Sequence, residues 1–67
     1  MKQDVLEKAQ KMIERGEKPS VEKLSEELDQ HPANIHRCLN ALEKDREIET
    51  YTRELMGKKM RMVGVNR

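Results

Sequence analysis

The sequence predicts a mainly α fold with a small β-hairpin, an α+β class, in one domain that spans residues 1–67. The first observation is that apolar residues recur at intervals of three and four as far as residue 44, which is the period of half-buried helices. The second is that this period changes near Asp45 to alternation in two short runs, which is typical of a hairpin. A chain of 67 residues is also too short for more than one hydrophobic core.

The first two helices are predicted from apolar stripes and from residues that begin or end a helix. The run "DVLEKAQKMIERG" has helical spacing and predicts a first helix over about 4–15. Asp4 and Glu7 are spaced as a capping box, and Gly16 can end the helix in a left-handed conformation. Ser20 is suited to cap a second helix. The narrow buried stripe of that helix consists of Val21, Leu24 and Leu28.

A third helix is predicted over 32–44, with Pro32 in the first-turn position that proline favours. Its buried stripe consists of Ile35, Cys38, Leu39 and Leu42. The run "REIETYTR" predicts a strand at about 47–53, and "KMRMVGV" predicts the strand that returns beside it. The intervening "ELMGKK" contains Gly57 and is interpreted as the turn.

The side of the third helix opposite its apolar stripe is polar. It carries Ala33, Arg37, Asn40 and Lys44, with Asn34 and His36 on its flanks. Asparagine pairs with adenine, arginine pairs with guanine, and a methyl group can meet the methyl of thymine, so these residue types fit base edges. Two short helices joined by a tight turn form a helix-turn-helix, whose second helix enters the major groove. A hairpin of two or three strands after it makes the predicted fold a winged helix-turn-helix.

The hairpin end of the chain is basic. Residues 53–67 hold five Lys or Arg and one acidic residue, although the whole chain carries only +1. Such an asymmetry predicts contact with a polyanion at that end. We expect Lys58, Lys59 and Arg61 to contact the phosphates of DNA. A run of charge that simply faces solvent is the alternative interpretation.

From about Lys8 to Val65 the chain resembles the DNA-binding domain of LexA-type repressors, within the winged helix-turn-helix superfamily. "KPSVEKLSEEL" is similar to the family's Pro-Ser/Thr-Val second helix, and "HPANIHRCLNALEKD" is similar to its third helix. The matching positions of the third helix are Pro32, Ile35, His36, Leu39, Leu42, Glu43 and Lys44. The resemblance implies sequence-specific binding of double-stranded DNA by a transcriptional regulator of repressor type. It also implies that the operator is contacted by Asn34, His36, Arg37 and Asn40.

The chain departs from the family pattern at two turns and in its domain content. The family usually has glycine where this chain has Asp29, between helices 2 and 3, and where it has Arg46, after helix 3. Asp tolerates the left-handed conformation, and Arg46 costs about 1 kcal/mol if the backbone angle is kept. The chain holds no counterpart of the family's self-cleaving protease domain. Neither self-cleavage nor that domain's dimerisation is therefore expected of it.

Enzymatic and metal-dependent functions are not expected. The sequence has no Gly-rich phosphate loop and no nucleophile–base pair at a credible spacing. His31, His36 and Cys38 do not share one helix face, so we expect no metal site and no cofactor. Cys38 is interpreted as a core residue. Recognition of RNA is disfavoured because Tyr51 is the only aromatic residue that could stack on bases.

A winged helix can also be a protein-interaction module that does not bind DNA. The low net charge and the acidic helices 1 and 2 favour this alternative, in which the domain is an anti-regulator that covers another regulator's DNA-binding surface. A structural adaptor in a larger assembly is a further alternative. If the domain binds DNA, we expect either a homodimer that reads two half-sites, with Leu55, Met56 and helix 1 as candidate contacts, or weak binding by a monomer.

Cellular location is predicted from features that the sequence lacks. No apolar run approaches the roughly 18 residues that a membrane span needs, and the N-terminus has no apolar signal core. The single cysteine fits a reducing compartment. We therefore expect a cytoplasmic or nucleoid-associated protein with no membrane partner.

Overall fold

A computed structural model describes residues 2–65 of the chain. Met1, Asn66 and Arg67 lie outside the described residues, and so do both ends of the predicted domain. The elements are α1 (Lys2–Glu14), α2 (Val21–Leu28), α3 (Pro32–Lys44), β1 (Ile48–Leu55) and β2 (Lys58–Val65). The predicted α+β class, with three helices followed by a two-stranded antiparallel hairpin, is confirmed. None of the helices in the described range is long and apolar enough to cross a membrane.

Helix α1 begins earlier than predicted and ends close to the predicted residue. It starts at Lys2, so Asp4 lies within the first turn, and the predicted capping box of Asp4 and Glu7 is wrong. A carboxylate in the first turn stabilises a helix through the macrodipole, so an acidic residue there does not by itself mark the cap. Gly16 follows the helix with φ of 81°, and its N–H donates to the Ile13 carbonyl at 3.0 Å.

Helix α2 is bounded by the predicted cap and by a tight turn. Ser20 precedes it with extended backbone, and its Oγ accepts a hydrogen bond from the Lys23 N–H at 3.2 Å. Asp29 follows it in the left-handed conformation, with φ of 51°. Gln30 then donates its N–H to the Ser25 carbonyl at 3.0 Å. These contacts reverse the chain within a few residues, so that α3 begins directly after α2.

Helix α3 occupies the predicted range and has an unpredicted cap. Its N-cap is His31, whose Nδ1 accepts a hydrogen bond from the Ala33 N–H at 3.1 Å, and Pro32 fills the first helical position. After the helix, Arg46 takes the left-handed conformation with φ of 60°. The angle that favours glycine is therefore kept, at a cost of about 1 kcal/mol for a residue with a Cβ atom.

The hairpin has longer strands and a shorter turn than predicted. Strand β1 runs to Leu55 instead of about residue 53, because the turn consists of Met56 and Gly57 alone. Both turn residues have positive φ, 52° and 79°, as a type I′ turn requires. This turn favours Asn-Gly, so Met56 holds a conformation that costs a residue of its type about 1 kcal/mol.

The two strands pair antiparallel without a bulge along their whole length. The other edge of β2 is partly covered, since Met62 forms a bridge with Ser20 and the Val63 N–H donates to the Pro19 carbonyl at 2.9 Å. Strand β1, by contrast, pairs only with β2 among the described residues. One edge of the hairpin is therefore open.

One hydrophobic core lies between the three helices and the base of the hairpin. It consists of Val5, Leu6, Ala9, Met12, Val21, Leu24, Ile35, Leu39, Leu42, Ile48 and Val63. Cys38 packs against this cluster but is only partly buried, so it lies at the edge of the core. Because α3 contributes one side of its surface to the core, its other side is left to solvent.

Candidate functional site

The side of α3 that faces away from the core is open to solvent. Ile35 and Leu39 are fully buried and Leu42 is 1% exposed, so the opposite side of the helix points outward. We call this side the outer face of α3; it consists of Ala33, His36, Arg37, Asn40 and Lys44, all of them exposed. Asn34, the sixth residue predicted for a site on this helix, is half-buried on the flank. The fold thus brings five of the predicted residues onto one surface.

The three cations predicted on the hairpin do not share one side of β2. Strand side chains alternate between the two faces, so Lys59 and Arg61 share one face and Lys58 lies on the other. Lys58 and Lys59 are exposed, but the Arg61 side chain is only 21% exposed. Arg61 is therefore held against the body of the domain and does not extend into solvent.

Arg61 reaches from β2 to three side chains of α3. Its Nη2 donates to Asn40 Oδ1 at 2.9 Å and to Glu43 Oε1 at 2.7 Å, and its Nη1 lies 3.1 Å from His36 Nδ1. The three residues on α3 are spaced four and three apart, which places them on one side of the helix. We call Arg61, His36, Asn40 and Glu43 the Arg61 cluster. Two members of the outer face of α3 are thus bound to the hairpin.

The Arg61 cluster determines the hydrogen-bonding roles of two side chains. A guanidinium group only donates, so His36 accepts at Nδ1 and carries its hydrogen at Nε2 when the ring is neutral. Asn40 accepts at Oδ1, which leaves its amide hydrogens as the donors available to a ligand. Together with Arg37, these side chains make the outer face of α3 rich in donors. Such a surface matches the acceptor pair N7 and O6 of guanine.

Glu43 joins α3 to both strands of the hairpin. Besides the bond from Arg61, it accepts a hydrogen bond at Oε2 from Thr50 Oγ1 at 2.9 Å. The hydrogen bond from Thr50 and then the positive charge of Arg61 lower the pKa of Glu43, although partial desolvation acts in the opposite direction. Since the carboxylate stays charged at neutral pH, the contact between α3 and the hairpin persists there.

The other two hairpin cations differ in their partners. Lys58 Nζ lies 3.4 Å from a carboxylate oxygen of Glu22 on α2, and both side chains are largely exposed. An exposed ion pair of this kind contributes little, typically about 0–1 kcal/mol. Lys59 makes no ion pair or side-chain hydrogen bond with any residue in the described range 2–65. It is therefore the hairpin cation that can most easily meet an external anion.

A cleft of about 460 Å³ separates the start of α3 from the hairpin. Its lining combines apolar surface from Pro32 and Met60 with positive charge from Lys59 and Arg61. His36 lines the cleft and also belongs to the outer face of α3. The outer face and the hairpin therefore border one continuous concave surface.

The three residues considered as metal ligands are engaged in other contacts. His31 caps α3, His36 belongs to the Arg61 cluster, and Cys38 packs against the core. Within residues 2–65 no group of three His, Cys, Asp or Glu side chains is placed to hold a metal ion. In this structure both histidines act as hydrogen-bond acceptors.

Sequence reasoning did not find the carboxylates that bind the hairpin cations. Glu43 follows His36 by seven residues and Asn40 by three, a spacing that places it on the same side of α3 and could have revealed it. Glu22 could not be found in this way, because its contact with Lys58 depends on how the hairpin lies against α2.

The candidate site consists of the outer face of α3, the hairpin cations and the cleft between them. Most of its side chains are hydrogen-bond donors or cations, and the carboxylates next to it are bound by the hairpin. Comparison of the whole chain with protein-family models, curated proteins and solved structures gives no match, so this chemistry is the basis for assigning a function.

Proposed function

We propose that the chain is a winged helix-turn-helix domain that binds double-stranded DNA in a sequence-specific manner. In this proposal α3 enters the major groove, and the hairpin is the wing that contacts the phosphate backbone. The resemblance of α2 and α3 to LexA-type repressors extends the proposal to a transcriptional regulator of repressor type. The single observation that carries it is the exposed outer face on a helix whose other side is fully buried.

The outer face of α3 has the chemistry that base edges require. Arg37 and Asn40 supply hydrogen-bond donors, and Ala33 supplies a methyl group near the N-terminal end. The first turn of α3 holds no acidic residue, so the positive end of its dipole is not neutralised by a carboxylate of that turn. A phosphate or a base acceptor is therefore bound favourably at this end of the helix.

The charge of the hairpin supports a role on the DNA backbone. Lys59 is exposed and has no ion pair within residues 2–65. Lys58 is bound to Glu22 only through an exposed contact, which water and salt weaken. Arg61 has a further role in this proposal, because it ties the wing to α3 and orients two side chains of the outer face. Lys59 is accordingly the main phosphate contact that we propose, followed by Lys58.

The test is selection of bound duplexes from a random pool, run with the 67-residue chain at two salt concentrations. We expect one enriched sequence motif at both concentrations, and an affinity that falls as salt increases because phosphate contacts release counterions. A chain in which Arg37 and Asn40 are both replaced by alanine is the matched control. It should enrich no motif, since both side chains belong to the outer face. Absence of duplex binding at low salt would refute the proposal.

A protein-interaction module is the second candidate, and one observation favours it. Two of the three cations predicted on the hairpin are paired with carboxylates, Arg61 with Glu43 and Lys58 with Glu22. This pairing reduces the charge that the hairpin can offer to a polyanion. In this case the outer face of α3 would cover the DNA-binding surface of another regulator. The two candidates differ in one measurement, because only the first predicts binding to nonspecific duplex at low salt.

A further inference from the structure

The outer edge of strand β1 is open, while the other edges of the hairpin are engaged. On one side β1 pairs with β2 along its whole length. On the other side β1 has no strand partner among residues 2–65, whereas the far edge of β2 is bridged to the segment that holds Pro19 and Ser20. An unpaired edge exposes a row of N–H and C=O groups that can pair with another strand.

The turn determines which backbone groups of β1 point outward. A two-residue turn is closed by a hydrogen-bonded pair, here Leu55 with Lys58, and bonded pairs recur at every second residue. The N–H and C=O groups of Tyr51 therefore bond to β2. Those of Thr50 and Thr52 point to the open edge. There the Thr50 N–H hydrogen-bonds to the Glu43 carboxylate of α3, whereas the Thr50 C=O and both backbone groups of Thr52 are available to a further strand.

Two copies of this edge have complementary side chains when they run in opposite directions. The segment "ETYTR" has Glu49 and Arg53 at its ends, a threonine beside each, and Tyr51 at its centre. We propose that β1 pairs antiparallel with β1 of a second copy of this chain, about a two-fold axis at Tyr51. In that register Glu49 of each copy lies opposite Arg53 of the other. Thr50 and Thr52 face each other in the same way, and the outward N–H of Thr52 in each copy donates to the outward C=O of Thr50 in the other.

Registers centred on a residue next to Tyr51 do not place Glu49 opposite Arg53. If the pair is centred on Thr50, Glu49 lies opposite Tyr51, and if it is centred on Thr52, Arg53 lies opposite Tyr51. In both cases a charge faces the aromatic ring. Opposite charges that face each other across strands stabilise a sheet, and so does a pair of aromatic rings. The register centred on Tyr51 combines both kinds of pair.

The three side chains on the outward face of this edge, Glu49, Tyr51 and Arg53, make no ion pair or side-chain hydrogen bond with another described residue. Tyr51, the only aromatic residue of the chain, is 49% exposed. Glu49 and Arg53 are exposed as well. Strand β1 also has no proline and no bulge, which are two of the features that keep edge strands apart. Its charged residues Glu49 and Arg53 meet opposite charges in this register. Pairing of two β1 strands would cover the Tyr51 ring and would place Glu49 and Arg53 each opposite a residue of opposite charge.

The product of this pairing is a four-stranded sheet in the order β2, β1, β1, β2. Only one strand of each copy forms the interface, so we expect weak self-association and not an obligate dimer. The proposal does not depend on DNA binding, because it rests on β1 and not on the outer face of α3.

The test is sedimentation velocity of the 67-residue chain over a series of concentrations up to the millimolar range. We expect the parent to shift from monomer towards dimer as concentration increases. Glu49→Arg places two arginines opposite each other, and Arg53→Glu places two glutamates opposite each other. Each variant alone should therefore dimerise at least about tenfold more weakly. A parent that stays monomeric throughout the series would overturn the proposal.

Mixing the two variants is the decisive control. In a mixed pair every charge meets its opposite, so an equal mixture should form heterodimers, which native mass spectrometry separates from homodimers by mass. The double variant Glu49→Arg/Arg53→Glu should self-associate like the parent for the same reason. Lys11→Glu reverses an exposed charge on α1 and should leave self-association unchanged, and circular dichroism establishes that each variant is folded. Dimers that survive both single reversals, or that are lost in Lys11→Glu, would overturn the proposal.

Discussion

The outer face of α3 and the outer half of the hairpin are held in place by different forces. Behind the outer face, Ile35 and Leu39 are fully buried, so apolar packing fixes the backbone that carries the polar side chains. The hairpin contributes to the core mainly at its base, through Ile48 and Val63, and every residue from 51 to 59 is exposed. Beyond its base the hairpin is a two-stranded ribbon, which has no core of its own.

The position of the hairpin relative to α3 depends on polar contacts. The Arg61 cluster connects the ribbon to α3 through polar contacts and not through apolar burial. Exposed polar contacts are individually weak and respond to pH and salt, whereas a buried stripe responds mainly to changes in side-chain volume. We therefore expect changes behind α3 to affect folding, and changes in the hairpin to affect orientation and binding.

The largest effect is expected from Leu39→Ala, which removes fully buried volume behind the outer face of α3. The free energy of unfolding should fall by about 2–5 kcal/mol, because a cavity is added to the loss of apolar contact. Urea denaturation followed by circular dichroism measures it. Arg37→Ala, on the exposed side of the same turn, is the control and should change stability by less than about 0.5 kcal/mol. Equal losses in the two variants would contradict the assignment of inner and outer sides.

The second largest effect is a loss of affinity for DNA. It follows from the proposal that the outer face of α3 reads DNA. Arg37→Ala and Asn40→Ala should each weaken binding to the selected duplex by about 1–3 kcal/mol, with the fold intact. Fluorescence anisotropy with the selected duplex and a scrambled one separates specific from nonspecific affinity. If both variants bind both duplexes as the parent does, α3 does not read DNA, and its outer face belongs to a protein partner or to solvent.

The helical half of the fold could be predicted from local patterns, and the hairpin half only in outline. Ser20, Pro32 and Gly16 begin or end their helices as expected, because caps act within a few residues of the chain. Asp4 was misplaced because an acidic residue is favoured both at the cap and in the first turn. The turn was predicted too long, since Met56 gives no local signal of the positive φ that it adopts.

The candidate site, like the fold, could be predicted only in part from local sequence patterns. The exposure of Arg37 and Asn40 follows from the helical period once Leu39 is assigned to the core, so one face of the site could be read from sequence. The partners of Arg61 could not, because they depend on the register of β2 and on how the hairpin packs against α3. Local pattern therefore predicts which residues are presented, and nonlocal packing determines which of them are already bound.

Lys59→Ala tests the hairpin as a contact to the DNA backbone. It should weaken binding to the selected and the scrambled duplex alike, and it should reduce the slope of log affinity against log salt by about one unit. Lys11→Ala removes an exposed cation from α1 and should leave both quantities unchanged. A loss confined to the selected duplex would assign Lys59 to base recognition instead.

A small increase in stability is expected from a substitution at the tip of the hairpin. Met56 is 98% exposed and has φ of 52°. Met56→Asn introduces a residue suited to the first position of a type I′ turn, so stability should increase by about 0.5–1 kcal/mol. Met56→Ala keeps a Cβ atom without that preference and should give no such gain. Thermal unfolding measures both, and a less stable Asn variant would show that the methionine side chain itself stabilises the tip.

The smallest effect on stability is expected in the Arg61 cluster, because its members lie at the surface. The hydrogen bond from Thr50, followed by the charge of Arg61, lowers the pKa of Glu43. A carboxyl group whose pKa is lower in the folded state stabilises the protein fully above its unfolded-state pKa. That contribution is lost as the pH falls through the folded-state pKa. We therefore expect acid to release Arg61 and Thr50 from Glu43 below the usual titration range of glutamate.

NMR resonances of the Arg61 Nε–H and of the Thr50 amide can follow this release during an acid titration. Both should change in one step at the same pH, while the resonances of Leu39 in the core stay constant until the domain unfolds. In Glu43→Gln the step should be absent, because the amide cannot titrate. If that variant shows the same step, another group holds the hairpin against α3. The polar connection between the two regions would then have to be assigned to that group.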